Sequence, residues 1–132
     1  MTELNEKIRK IVESEPVVLF MKGTPAFIAC GNSERALGSL RSVGAPVAAV
    51  DILPDPEIRQ QLTALYGWPT IPQIFVNGEL IGGADIIEEL ATSGELGGEI
   101  EKRLGPGWQQ PGVEKTLELV EGGPSTQFRV LS

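Results

Sequence analysis

The chain has 132 residues, a formal net charge of −7, one cysteine and no histidine. That length suits one globular domain able to bury a core of its own, and the acidity leaves no basic stripe to neutralise nucleic-acid phosphates. The missing histidines exclude Ser-His and Cys-His catalysis and histidine metal ligands, while a solitary cysteine excludes an internal disulfide.

No apolar run is long enough for a membrane span, and MTELNEKIRK at the start lacks a signal peptide's apolar segment. A cytoplasmic protein with no membrane partner is expected. Leu4, Ile8, Ile11 and Val12 form one apolar stripe between charges, predicting an amphipathic helix over residues 2 to 14. Val17 to Met21 reads as a short buried strand between Pro16 and the breaker sequence Lys22-Gly23-Thr24-Pro25. Ala36, Leu37, Leu40 and Val43 then recur at helical spacing, with Gly44 where a C-terminal cap belongs.

Cys30 therefore falls at or just before a helix N-terminus, at the tip of a strand-loop-helix unit. Unpaired amide N–H groups and the helix dipole favour an anion there, lowering the thiol pKa toward the nucleophilic, metal-binding thiolate. The plain alternative for a lone cysteine is an inert buried residue.

Val47 to Ile52 is a second strand-length apolar run. Asp55 and Pro56 open the next helix as N-cap and first helical residue; Ile58, Leu62 and Leu65 form its buried face, and Gly67 ends it. Gln73 to Val76 and Leu80-Ile81 flank Asn77-Gly78 as a hairpin. Asp85 and Glu88 have capping-box spacing for a helix carrying Ile86, Ile87 and Leu90, and a last helix is expected from about Glu95 to Leu104. The first two strands, joined through a helix, should run parallel, and the last two antiparallel. The expected fold is α/β and thioredoxin-like: a four-stranded mixed sheet, helices on both faces, and a short C-terminal extension.

Several separated pieces then carry a specific resemblance. VVLFMKGTP (Val17 to Pro25), Cys30-Gly31 with Ser33, WPTIPQIFVNGELIGG (Trp68 to Gly83), Asp85-Ile86-Ile87 with Glu89-Leu90, and Gly94-Glu95-Leu96 stand in the order found in the monothiol glutaredoxins whose site reads CGFS. The chain resembles that family over residues 3 to about 104, which divides it into a glutaredoxin-like domain at 1–104 and an extension at 105–132. Ser33 stands where dithiol relatives have a second cysteine, and a hydroxyl cannot close a disulfide. Cys30 consequently needs an external thiol such as glutathione.

The resemblance implies a set of site residues. Cys30 is the reactive group and the metal ligand. Lys22 and Arg59 would grip glutathione's glycine carboxylate; without the resemblance, Lys22 reads as a solvated lysine and Arg59 as a solvent-exposed one. Ile71-Pro72 resembles the cis peptide of this fold, with Ile71 pairing its backbone with the ligand and Thr70 shaping the groove. The plain reading of Pro72 is a strand's first residue. Gly83 allows close approach, Ala84 and Asp85 offer helix N-terminal amides to the γ-glutamyl carboxylate, and Asp85's side chain suits the ammonium, or serves only as an N-cap. Trp68 reads as core or groove wall.

A [2Fe–2S] cluster held by thiolates needs four of them. Two chains supply two and two glutathiones the others, so a glutathione-bridged homodimer completes the shell, as the resemblance also implies. Its cargo would pass to iron–sulfur recipient proteins, with a BolA-type partner another implied contact. Two other readings stay open: a glutathione-dependent thiol–disulfide oxidoreductase acting through Cys30 alone, and a cluster-free adaptor. The sequence also departs from the family. Asn32 replaces the phenylalanine of CGFS and either caps the helix or exposes the cluster face. Ile28 and Ala29 replace a usual proline and polar residue, Thr63 a frequent lysine, and Ala84 a frequent cysteine. In the extension, Gly105-Pro106-Gly107 and Gln109-Gln110-Pro111-Gly112 read as linker. Val113 to Val120 and Phe128 to Leu131 read as strand or helix around Gly122-Gly123-Pro124, forming an added hairpin or a partner-docking segment.

Overall fold

The computed structural model describes residues 3–119 and the backbone of 128–130. Its central strand, β1 (Val17–Met21), is fully buried, as expected of a continuous apolar run with helices on both sides. Alternate side chains supply two cores. Val17, Leu19 and Met21 point to one, with α2 (Gly31–Ser42), α4 (Ala84–Thr92) and α5 (Leu96–Leu104) packed on that face. Val18 and Phe20 point to the other, under α1 (Glu3–Ser14) and α3 (Pro56–Tyr66). Phe75 meets Phe20 edge-on at 5.7 Å and Tyr66 at 4.7 Å between ring centroids, geometry that suits the aromatic quadrupoles.

β1 pairs in parallel with β4 (Val47–Asp51) and antiparallel with β5 (Gln73–Val76), which pairs antiparallel with β6 (Glu79–Gly82). Asn77 and Gly78 form the β5–β6 turn with φ of 52° and 79°, the left-handed pair a two-residue hairpin demands. Local signals hold elsewhere too. Asp55 caps α3 by accepting the Glu57 amide N–H at 2.9 Å, and Gly67 closes it in the left-handed conformation. The predicted parallel and antiparallel pairings, and helices on both faces, are all present.

The strand number is not four. Among the described residues the main sheet has six strands, in the order β6-β5-β1-β4-β7-β8, and a second sheet has two. The excess in the main sheet comes from the extension. β7 (Glu114–Leu119) lies parallel to β4, and β8 (Phe128–Val130) returns antiparallel to it. Leu117 is buried in the α1/α3 core and Trp108 in the α2/α5 core. The connecting residues 105–113 are fastened as well, Gln110 N–H to the Gly44 carbonyl at 2.8 Å and Gln109 Nε2 to the Val43 carbonyl at 2.9 Å. Arg41 forks onto Glu114 at 2.6 and 2.9 Å, and Lys115 pairs with Glu15 at 2.6 Å. These ion pairs are partly covered at their carboxylates, and burial of Leu117, worth about 1.5–3 kcal/mol, adds to the anchoring. The predicted helix residue Thr2, the Gly122-Gly123-Pro124 break, Val120 and Leu131 lie outside the described residues. No helix among the described residues is long and apolar enough to cross a membrane.

Candidate functional site

A small hairpin delivers Cys30. Beyond β1, β2 (Gly23–Thr24) turns back on β3 (Phe27–Ile28), an element too short for periodicity to reveal. Gly23 has φ +91°, and a Cβ there would lie 2.3 Å from the Phe27 carbonyl oxygen, so only glycine closes this turn. Asp51 fixes the base, its Oδ1 accepting from the Gly23 and Leu53 amides, both at 2.9 Å. The Ala29 N–H reaches the Lys22 carbonyl at 3.0 Å.

Cys30 is the N-cap residue of α2, with extended backbone at φ −152° and ψ 131°. It is partly exposed. The side chain makes no capping hydrogen bond, which leaves the first-turn amides available to a sulfur anion. The Ser33 backbone N–H is the foremost cause holding the thiol below its ordinary range; partial burial opposes it, and the Asn32 N–H, the Lys22 charge and the Ser33 hydroxyl add to it. Ser33 is wholly buried in the first turn, its Oγ accepting the Lys22 backbone N–H at 3.0 Å. One hydroxyl thus joins the strand end, the helix start and the sulfur.

Beside this helix start lies an open groove of about 240 Å³. It brings together six of the predicted positions, Thr70, Ile71, Pro72, Gly83, Ala84 and Asp85, and adds Asn32, Trp68 and Ile86. The Ile71-Pro72 bond is cis. Trp68 is groove wall, and its indole nitrogen is buried with no hydrogen-bond partner. A Cβ on Gly83 would approach that nitrogen to 3.3 Å and the Pro72 carbonyl to 3.2 Å, so glycine keeps this end open. The wall before Pro72 is tied from behind. Gln73, fully buried within β5, donates Nε2 to the Trp68 and Thr70 carbonyls at 3.0 and 3.2 Å, and Thr63 donates to the Trp68 carbonyl at 3.1 Å.

Cys30, Lys22 and Arg59 are not among the residues that line the groove. Lys22 sits near enough for its charge to act on Cys30, and Arg59 is exposed with Nη2 3.4 Å from the Pro69 carbonyl. The capping box expected from Asp85 and Glu88 does not form. Gly83 is the N-cap of α4, without a side-chain cap, and both carboxylates go to Arg35 on α2, at 2.6 Å from Nη2 and 3.2 Å from Nε. Nor does Asn32 cap α2; its Oδ1 accepts from Arg35 Nη1 at 2.7 Å. Sequence reading missed Arg35, Gln73 and Ile86 as site residues. A glutamine inside an otherwise apolar strand was the available signal for Gln73; for Arg35 no local signal existed, because its partners are 50 and 53 residues away.

Comparison with known proteins agrees with this geometry. The family model described as Glutaredoxin matches residues 17–81. The chain is 48% identical over 104 residues to the yeast (Saccharomyces cerevisiae) protein named monothiol glutaredoxin-5, mitochondrial, covering 76% of this chain and 69% of the relative. Among solved structures, reduced poplar apo GrxS14 matches with 44% identity and a TM-score of 0.68, over 76% of this chain and 93% of that one. A buckwheat glutaredoxin–glutathione complex matches at 25% identity with a TM-score of 0.65, over 75% of this chain and 88% of that one. With a thioredoxin-like fold and a single cysteine at the start of α2, the chain belongs to the monothiol glutaredoxin family.

Proposed function

We propose that this monothiol glutaredoxin binds glutathione in the groove beside Cys30 and carries a [2Fe–2S] cluster, as cargo, between two copies of the chain. The observation that carries this is the Cys30 sulfur itself, partly exposed at an uncapped helix start whose first turn, through Asn32, lines a groove, with its thiol pKa lowered. Ligand supply sets the stoichiometry. The chain has one cysteine and no histidine, and no cluster of three or more metal-binding side chains occurs among the described residues. One copy cannot complete a four-thiolate shell, whereas two copies with two glutathiones can.

In this reading Cys30 supplies one sulfur and glutathione lies along the groove. The Ile71 backbone meets the tripeptide backbone, with Thr70 and Pro72 forming the wall. The uncapped amides at Ala84 and Asp85 receive the γ-glutamyl carboxylate, since a helix N-terminus favours an anion, and the Asp85 carboxylate faces the ammonium. Lys22 and Arg59 supply positive charge for the glycine carboxylate at the other end. The buckwheat complex, a glutaredoxin with glutathione bound, supports a peptide thiol as the ligand class.

Anaerobic reconstitution with iron, sulfide and glutathione tests the proposal. A visible-absorbing dimer that fails to form without glutathione, or with Cys30→Ala, is the expected result. A colourless monomer under all conditions would refute it.

Asn32 favours a second reading. An exposed amide on the groove wall, where the CGFS pattern has an aromatic ring, leaves the sulfur side of the groove more polar. This suits glutathione-dependent reduction of mixed disulfides. The Cys30 thiolate would attack the glutathione sulfur of a glutathionylated protein, releasing the protein thiolate and forming a Cys30–glutathione disulfide. A second glutathione thiolate would then attack that disulfide, freeing Cys30 and leaving oxidised glutathione. Turnover of a glutathionylated peptide by the colourless monomer distinguishes this activity from cluster carriage.

A further inference from the structure

Arg35 belongs to none of the family-matched motif residues, yet it occupies the junction of the two helix starts that border the groove. Its three guanidinium nitrogens reach three different side chains: Nη1 the Asn32 Oδ1 at 2.7 Å, Nη2 the Asp85 Oδ1 at 2.6 Å, and Nε the Glu88 Oε2 at 3.2 Å. Two of those partners, Asn32 and Asp85, line the groove. The Asp85 side chain is 91% exposed, so packing does not hold it, and the Arg35 pair biases its orientation by the few-fold an exposed ion pair can supply. A cation between two carboxylates also lowers the mutual repulsion of Asp85 and Glu88. The planar fork matters, because its donors are spread over three nitrogens in fixed directions, whereas a lysine's three N–H donors share one rotating nitrogen.

We infer that Arg35 is a positioning residue for glutathione, acting through Asp85: it holds the Asp85 carboxylate at the α4 end of the groove before the ligand's γ-glutamyl ammonium arrives. The inference rests on the glutathione reading above. The energetic consequence is preorganisation. An exposed carboxylate that must be ordered on binding loses affinity to side-chain entropy, and one already ordered does not. Asn32 shares the same guanidinium, so it is drawn along α2 toward Arg35 instead of folding over the helix start.

The test is a double-mutant cycle read by NMR titration with S-methylglutathione, which binds without thiol exchange. Arg35→Gln should weaken binding about two- to tenfold, the range set by ordering one such side chain, with Arg35→Lys intermediate. In an Asp85→Asn background, Arg35→Gln should change affinity by less than about twofold, because the carboxylate it positions is gone. An unchanged affinity for Arg35→Gln, or an equal loss with and without the Asp85 carboxylate, would overturn the inference while leaving glutathione binding intact. The second result would mark a general charge effect. Failure of the unaltered protein to bind S-methylglutathione at all would overturn the glutathione reading and this inference with it. Thermal melting of each variant separates loss of binding from loss of fold.

Discussion

Helix α3 and helices α2 and α4 begin in opposite ways. At α3 the donors are used internally: Asp55 accepts the Glu57 amide and Pro56, which has no amide N–H, takes the first helical position. At α2 and α4 the N-cap residues are Cys30 and Gly83, and neither provides a side-chain cap. A helix start leaves four amide groups without an intrahelical partner. Those of α3 are partly satisfied by the chain itself, and those of α2 and α4 flank the groove. The contrast separates a helix start used for stability from two whose donors remain for a sulfur anion or a bound carboxylate.

The largest effect should come from removing the sulfur that α2 faces. Cys30→Ala abolishes thiol alkylation and cluster formation while changing stability by less than about 0.5 kcal/mol, as expected of a partly exposed side chain; urea unfolding with an alkylation assay checks both. Ser33→Ala ranks next. It leaves the partly buried Lys22 N–H without its acceptor, at a cost of about 1 kcal/mol in chemical denaturation. It also raises the Cys30 pKa. Because that pKa is depressed, the thiolate persists below the pH at which an ordinary thiol is protonated, and reactivity falls as pH drops through the lowered value. The alkylation–pH midpoint therefore moves upward in the variant. A midpoint that stays put would remove the hydroxyl from the sulfur's environment.

Gly83→Ala sharpens the comparison at the second open start. Its methyl group enters the space between the Pro72 carbonyl and the Trp68 indole. Glutathione affinity measured by calorimetry should drop about tenfold, or about 1.4 kcal/mol, with thiol pKa unaltered. Asp55→Ala is the smallest change and the control. It costs about 1 kcal/mol of stability through the lost cap and leaves Cys30 reactivity and glutathione affinity where they were. An effect of Asp55→Ala on the groove equal to that of Gly83→Ala would break the distinction between closed and open starts.

The same contrast explains what could be read from the residue string. The Asp55-Pro56 start, the Asn77-Gly78 turn and the unbroken burial of β1 depend on neighbours in sequence, and each appears where expected. The groove positions from Thr70 to Asp85 were legible through family motifs, and the folded chain brings them together. Asp85 and Glu88 satisfied a capping pattern on paper, but Arg35 takes both carboxylates across 50 and 53 residues. Strand β7 was ambiguous for a related reason. Glu114 to Leu119 carries too little periodicity to distinguish strand from helix, and the decision rests with the β4 edge and the pocket that receives Leu117. Long-range partners settle such cases, and local pattern does not contain them.

The open-start claim is tested most directly by following backbone amides during titration with S-methylglutathione. The largest shifts should fall on Ile71, Ala84 and Asp85, with smaller ones at Asn32, Ser33 and around Arg59, while the Glu57 amide, bound to Asp55 at the capped start of α3, shifts least. Shifts concentrated on α3, or none at Ile71, Ala84 and Asp85 under saturating ligand, would contradict it.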